Sequence, residues 1–91
     1  MDKLPSAATF QNASKIAIEE DRPILLDYWK GSLEKSVLIG VSENNEKMLV
    51  KNPEEYTSPI SKIYKIGDEY IISTENSLYI VAACIPTKRI N

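Results

Sequence analysis

From residue 56 onward, apolar and polar positions alternate along "YTSPISKIYKIGDEYIISTENSLYIV", and two short breaks interrupt the alternation. A period of two is the signature of a strand, and glycine or asparagine at the breaks is the signature of a tight turn. The pattern predicts strands over 60–66, 69–74 and 77–85, with turns at Gly67-Asp68 and Glu75-Asn76. Glycine in the first turn position suits a type II′ hairpin. Ile60, Tyr64 and Ile66 fall on one face of the first of these strands, but Ile63 falls on the other. That mismatch implies a bulge or a strand covered on both sides. The next two strands carry apolar residues on both faces. Tyr70, Ile72 and Thr74 oppose Ile71 and Ser73, and Leu78, Ile80 and Ala82 oppose Tyr79, Val81 and Ala83. Such strands are buried on both sides, or else one face packs against another chain.

Upstream the period differs. Over 6–21, "SAATFQNASKIAIEED", Ala13 and Ala17 follow Phe10 at +3 and +7, and Ile16 widens the same face. This predicts a helix with Ser6 as N-cap and Pro23 as its stop. Glu19, Glu20 and Asp21 sit at the C-terminal end, where the helix dipole disfavours acids. Beyond Pro23 the period returns to two, giving strands over 24–29, 36–42 and 46–52. A turn at 43–46 contains Asn44 and Asn45, which tolerate positive φ. Residues 52–59 read as a loop. Short connections make sequential strands pair antiparallel. The expected fold is α+β: an N-terminal helix followed by a five- or six-stranded antiparallel meander, in one domain spanning 1–91, with an SH3-like small barrel as one way to close it.

Composition adds limits. The chain has 91 residues, 43% hydrophobic and 26% charged, which is room for one core. Its formal charge of −2, with scattered basic residues, argues against nucleic acid as a partner. The longest apolar run, "LYIVAACI", is too short to cross a bilayer, and "MDKLPSAATFQNASK" has no apolar run of signal-peptide length. The single cysteine, Cys84, cannot form an internal disulfide, so a cytoplasmic protein is expected, with Cys84 as a buried, inert thiol.

The chain contains no histidine, which removes Ser-His-Asp and Cys-His chemistry and the usual general base near neutral pH. One cysteine does not make a zinc site, and the three glycines lie too far apart for a phosphate-binding loop. Glu54-Glu55 and Glu19-Glu20-Asp21 are adjacent acids of the kind usually found solvated. No enzyme, metal or cofactor is expected.

"DRPILLDYW" is similar to the strand that precedes the redox site of thioredoxins, but the cysteines of that family are absent and "KGSLEKS" follows. "TSPI" and "ISTENSLYIV" resemble a T-S-P-[IV] … T-x-N-S-x-Y pattern of small, uncharacterised β-rich proteins of bacteria and phages. That resemblance spans about 25 residues and implies a compact accessory protein with no known chemistry.

The candidate binding residues are mainly aromatic: Tyr28, Trp29, Tyr56, Tyr64, Tyr70 and Tyr79, with Thr74 and Asn76 beside them. Tyrosines in strands pack mostly against their cross-strand neighbours, but tyrosine and tryptophan are also enriched where interfaces bind tightly. The leading expectation is a non-enzymatic module that binds another protein, or itself as a homo-oligomer, through a sheet edge or an aromatic face. One alternative is a small-ligand binder, for example of a nucleotide signal, using Thr57, Ser58, Thr74, Asn76 and Ser77, with Lys62, Lys65, Lys88 or Arg89 facing phosphates. Another is a structural subunit of a larger assembly.

Overall fold

A computed structural model describes residues 4–90. The fold is α+β, with a helix first, as the sequence pattern implies. Helix α1 spans Ala7–Glu20. Ser6 caps it, its hydroxyl accepting from the Thr9 N–H. The stop comes before Pro23: Asp21 takes the left-handed conformation (φ 53°), and its N–H donates to the carbonyl of Ala17.

Eight strands follow among the described residues, in two four-stranded sheets, in place of a single meander or a closed SH3-like barrel. The first sheet has the order β1-β7-β6-β5, from β1 (Ile24–Leu25), β5 (Ile60–Ile66), β6 (Glu69–Thr74) and β7 (Leu78–Ala82). The second has the order β4-β3-β2-β8, from β2 (Leu38–Val41), β3 (Lys47–Asn52), β4 (Glu55–Tyr56) and β8 (Thr87–Arg89). Neither sheet is purely antiparallel. β1 pairs parallel with β7, and β2 pairs parallel with β8. Both parallel pairs join segments far apart in sequence, which local alternation does not register.

The strand predicted over 24–29 is cut to two residues. Tyr28 and Trp29 do not extend it; they lead into a short helix, α2 (Trp29–Leu33). The side chain of Ser32 fixes α2 by donating to the carbonyl of Trp29 (2.6 Å) and accepting from the Ala82 N–H (2.9 Å). The strand predicted over 77–85 ends at Ala82, where the chain turns. Cys84 lies on that turn and is exposed, contrary to the buried thiol expected of a longer strand. Pro86 does not end the β structure; β8 begins beside it. The segment 52–59 is not wholly loop, since Glu55 and Tyr56 form β4 against β3.

The turns behave as their residues require. Asn45 has φ 64° between β2 and β3, and Gly67 has φ 58° between β5 and β6. A bulge between Ile60 and Lys62 resolves the mismatch in β5. Ile60 packs on the side facing the second sheet, whereas Tyr64 and Ile66 pack on the helix side. The three residues assigned to one face by simple alternation are therefore split between two.

Two apolar cores result. Ile71, Leu78, Ile80 and Ala82 project from the first sheet toward Ala13 and Trp29, with Phe10, Ile16 and Ala17 of α1 packed around them. The helix face read from the sequence is the face that packs. On the opposite side of the same strands, Ile72 and Val81 meet Ile39 and Leu49 of the second sheet, together with Tyr28, Val37 and Ile85. The molecule has three layers: helices, first sheet, second sheet. Strands β6 and β7 lie in the middle layer, so the apolar residues on both their faces are covered within the chain.

Polar groups tie α1 to β6 at both ends. At the N-terminal end, the carboxylate of Glu69 accepts from the Ser6 N–H (3.1 and 3.2 Å), the Ser6 hydroxyl (3.1 Å) and the Thr9 hydroxyl. At the C-terminal end, Arg22 pairs with Glu20 (2.9 Å) and donates to the Ser73 hydroxyl (2.8 Å), which itself donates to Glu20 (3.1 Å).

Candidate functional site

The candidates named from sequence do not gather in one place. Tyr28 is buried between the sheets, edge-on to Tyr79 at a centroid distance of 5.4 Å, with the Lys51 ammonium 5.6 Å from its ring centroid. Burial, followed by the charges of Tyr79, Glu55 and Asp27, raises the Tyr28 pKa above its ordinary value and keeps the phenol neutral. Trp29 is buried on the opposite side of the first sheet, under the helices. Tyr64 and Tyr70 are half-buried against different cores. Of the eight, Tyr56 stands out as an exposed large side chain, with 59% of its surface open.

The polar row serves the fold. Thr57 is buried, accepts from the Leu49 N–H (3.1 Å) and donates to the Ser58 carbonyl (2.8 Å). The Thr74 hydroxyl accepts from the N–H groups of Asn76 and Ser77 (3.3 and 3.2 Å) and donates to the Ser77 carbonyl (3.2 Å), which closes the β6–β7 turn. Asn76 then reaches across to the Ser58 hydroxyl (2.9 Å) and clasps that turn to the segment before β5. A side chain bonded in this way is not free to receive a ligand without breaking a bond of the fold.

The acids are dispersed as well. The Asn52 side chain accepts from the N–H groups of Glu54 and Glu55 (2.9 Å each) on the turn into β4, and its amide donates to the Glu55 carboxylate (3.3 Å); both acids are exposed. No group of three or more acidic or cysteine side chains among the described residues is placed to hold a metal ion. No helix among them is long and apolar enough to cross a membrane.

The open surface lies elsewhere. In the second sheet Ile39 and Leu49 point inward, so their neighbours point out: Leu38 and Gly40 on β2, Met48 and Val50 on β3. A mainly apolar groove of about 660 Å³ runs over this outer face, lined by Leu38, Met48, Val50, Pro53, Tyr56 and Ile90 together with Lys51 and Asn52. Gly40 lies buried against two of the lining side chains, Ile90 and Val50. A Cβ there would stand 2.9 Å from both the Ile90 and Val50 side chains, so glycine allows Ile90 to lie flat across β2. Neither core extends to this face, and both helices pack on the first sheet instead.

Of these residues, sequence reasoning named Tyr56 alone. The signal for the others was present in β3, where Met48, Leu49 and Val50 are apolar on both faces. The sheet partners that would have placed the outer row together, β4 and β8, were not foreseen. Lys88 and Arg89, named as phosphate-binding candidates, lie exposed on β8 at one edge of this sheet, and Lys62 and Lys65 lie exposed on β5 of the other. No protein-family model matches the chain, and neither a search of curated proteins nor one of solved structures finds a match.

Proposed function

We propose that the protein is a non-enzymatic interaction module, of the small accessory type implied by its 57–79 segment, and that it binds a protein surface on the outer face of the second sheet. The observation that carries this reading is the groove between Leu38, Met48, Val50, Tyr56 and Ile90, an apolar strip on a sheet face that neither helix covers. Contiguous apolar surface of this kind, with an exposed aromatic at its rim, is what interfaces use. The strand edges are less suited to docking. The long edge strand β5 carries a bulge and exposed Lys62 and Lys65, devices that discourage pairing with a further strand.

Replacing Tyr56, which projects from a two-residue edge strand, tests the reading without disturbing either core. Tyr56→Glu should keep the wild-type melting curve and lose at least about tenfold in affinity for the bound protein, since a charge placed in an apolar contact is left without its water. Affinity capture with wild-type and variant baits, followed by titration of the captured protein or of the chain itself, measures this. Equal binding by a folded Tyr56→Glu would refute the proposal.

A small apolar molecule in the same groove is a second reading, favoured by its volume of about 660 Å³. Small-molecule sites commonly span about 300–1,000 Å³.

A further inference from the structure

We infer that β8, with Ile90 behind it, is a displaceable strap: it fills one end of the groove and lifts off β2 while the rest of the fold stays closed. This goes beyond the interaction reading and does not depend on what the groove binds. The strap is lightly held. β8 is a three-residue edge strand, and all three residues are exposed. It pairs with β2 in parallel, the slightly weaker of the two pairing modes. Neither Lys88 nor Arg89 forms an ion pair among the described residues. Ile85, just before the strand, is buried between the sheets, so the chain leaves its anchor at the exposed Pro86. From Thr87 to Ile90 the segment carries one large apolar side chain, that of Ile90.

The seat of Ile90 also carries a cost. Ile90 lies over Gly40, where the missing Cβ makes room for it. The register pairs Val41 with Arg89, so Ser42 is the next residue along β2 beside Ile90, on the same outer side as Gly40. The hydroxyl oxygen of Ser42 is buried and has no hydrogen-bond partner among the described residues. Such a group has given up water and gained no bond in return, which opposes the closed state. Lifting Ile90 returns the Ser42 hydroxyl to water and uncovers Gly40, which lengthens the groove across β2. The closed strap thus loses part of what burial of Ile90 contributes, and opening of this segment lies well below global unfolding in free energy.

Native-state amide hydrogen exchange, read by NMR, provides the test. The Ile39 N–H donates to the Pro86 carbonyl (2.9 Å), while the Ile39 side chain is held in the core between the sheets. Its amide is therefore released by the strap without any opening of that core. In wild type it should exchange at least about tenfold faster than the amide of Ile72, which lies in the middle layer and needs global unfolding. Ser42→Ala removes the unpaired hydroxyl and should slow Ile39 at least about threefold relative to Ile72 in the same sample. Ile90→Ala removes the apolar hold and should speed Ile39 at least about tenfold on the same scale. The ratio to Ile72 separates opening of the strap from a change in overall stability, which moves both amides together. Ile39 exchanging no faster than Ile72 in wild type overturns the inference, and so does a ratio unchanged by Ser42→Ala or by Ile90→Ala. Tyr56-dependent binding is a separate readout, so a fixed β8 would leave the interaction reading standing.

Discussion

Ile71→Ala and Ile72→Ala should each lower the unfolding free energy by about 3–4 kcal/mol, although the two residues are neighbours and point in opposite directions. Both are fully buried. Ile71 sits under the helices and Ile72 between the sheets, so each truncation opens a cavity in a different core. In a sheet with one wet face, one of two adjacent positions would be nearly neutral. Here neither should be, because β6 lies in the middle layer. Urea unfolding at an unchanged m-value reads both changes. Ile18→Ala, at a position 82% exposed on α1, serves as the control and should stay within about 0.5 kcal/mol of wild type. A loss below about 1 kcal/mol at either Ile71 or Ile72 would mean that its face is not closed within the chain.

The second large effect should come from a single carboxylate. Glu69→Ala should lower stability by about 3 kcal/mol. It removes the acceptor for the Ser6 N–H, the Ser6 hydroxyl and the Thr9 hydroxyl, and Thr9 is fully buried. Hydrogen bonds to a charged group contribute about 1.5–3 kcal/mol each, not additively, although the Thr9 hydroxyl keeps the Ser6 hydroxyl, 3.0 Å away, as a partner. A negative charge at a helix N-terminus also complements the dipole, and the first turn of α1 contains no acid of its own. Thr9→Val should lose less than Glu69→Ala, and the double variant should lose less than the sum of the two, with a coupling of about 1 kcal/mol or more. A near-neutral Glu69→Ala would show that this carboxylate does not hold the N-terminal end of α1.

These two effects mark where the sequence is informative and where it is not. The alternation through β6 and β7 already places Ile71 and Ile72 on opposite faces, and Phe10, Ala13, Ile16 and Ala17 already define the packing face of α1. Local period encodes such facts. Glu69 could not be found in that way. In sequence it is a charged residue after a turn, and its role exists only because α1 begins more than 60 positions earlier beside it. The same limit hid β8, since a three-residue strand after a proline has no period to read and its partner is β2. It also hid the end of β1, because "ILLDYW" has strand composition throughout while Tyr28 and Trp29 are drawn into separate cores. The groove depended on all of these. Its residues come mainly from β2, β3, β4 and the segment after β8, and both β4 and β8 were invisible until the sheets were assembled.

The layer order also bears on function. The apolar residues on both faces of β6 and β7 suggested a surface waiting for another chain. The helices and the second sheet cover them, and the uncovered apolar strip passes to the outer face of the second sheet.

Methyl NMR of the dilute protomer, with a soluble paramagnetic probe added, measures this most directly. The methyl groups of Ile71, Ile72, Ile80 and Val81 should keep their intensity, while those of Met48 and Val50 are attenuated, with Ile18 as the exposed reference. Attenuation of Ile72 and Val81 to the level of Val50 would contradict the three-layer arrangement, and with it the assignment of the binding face.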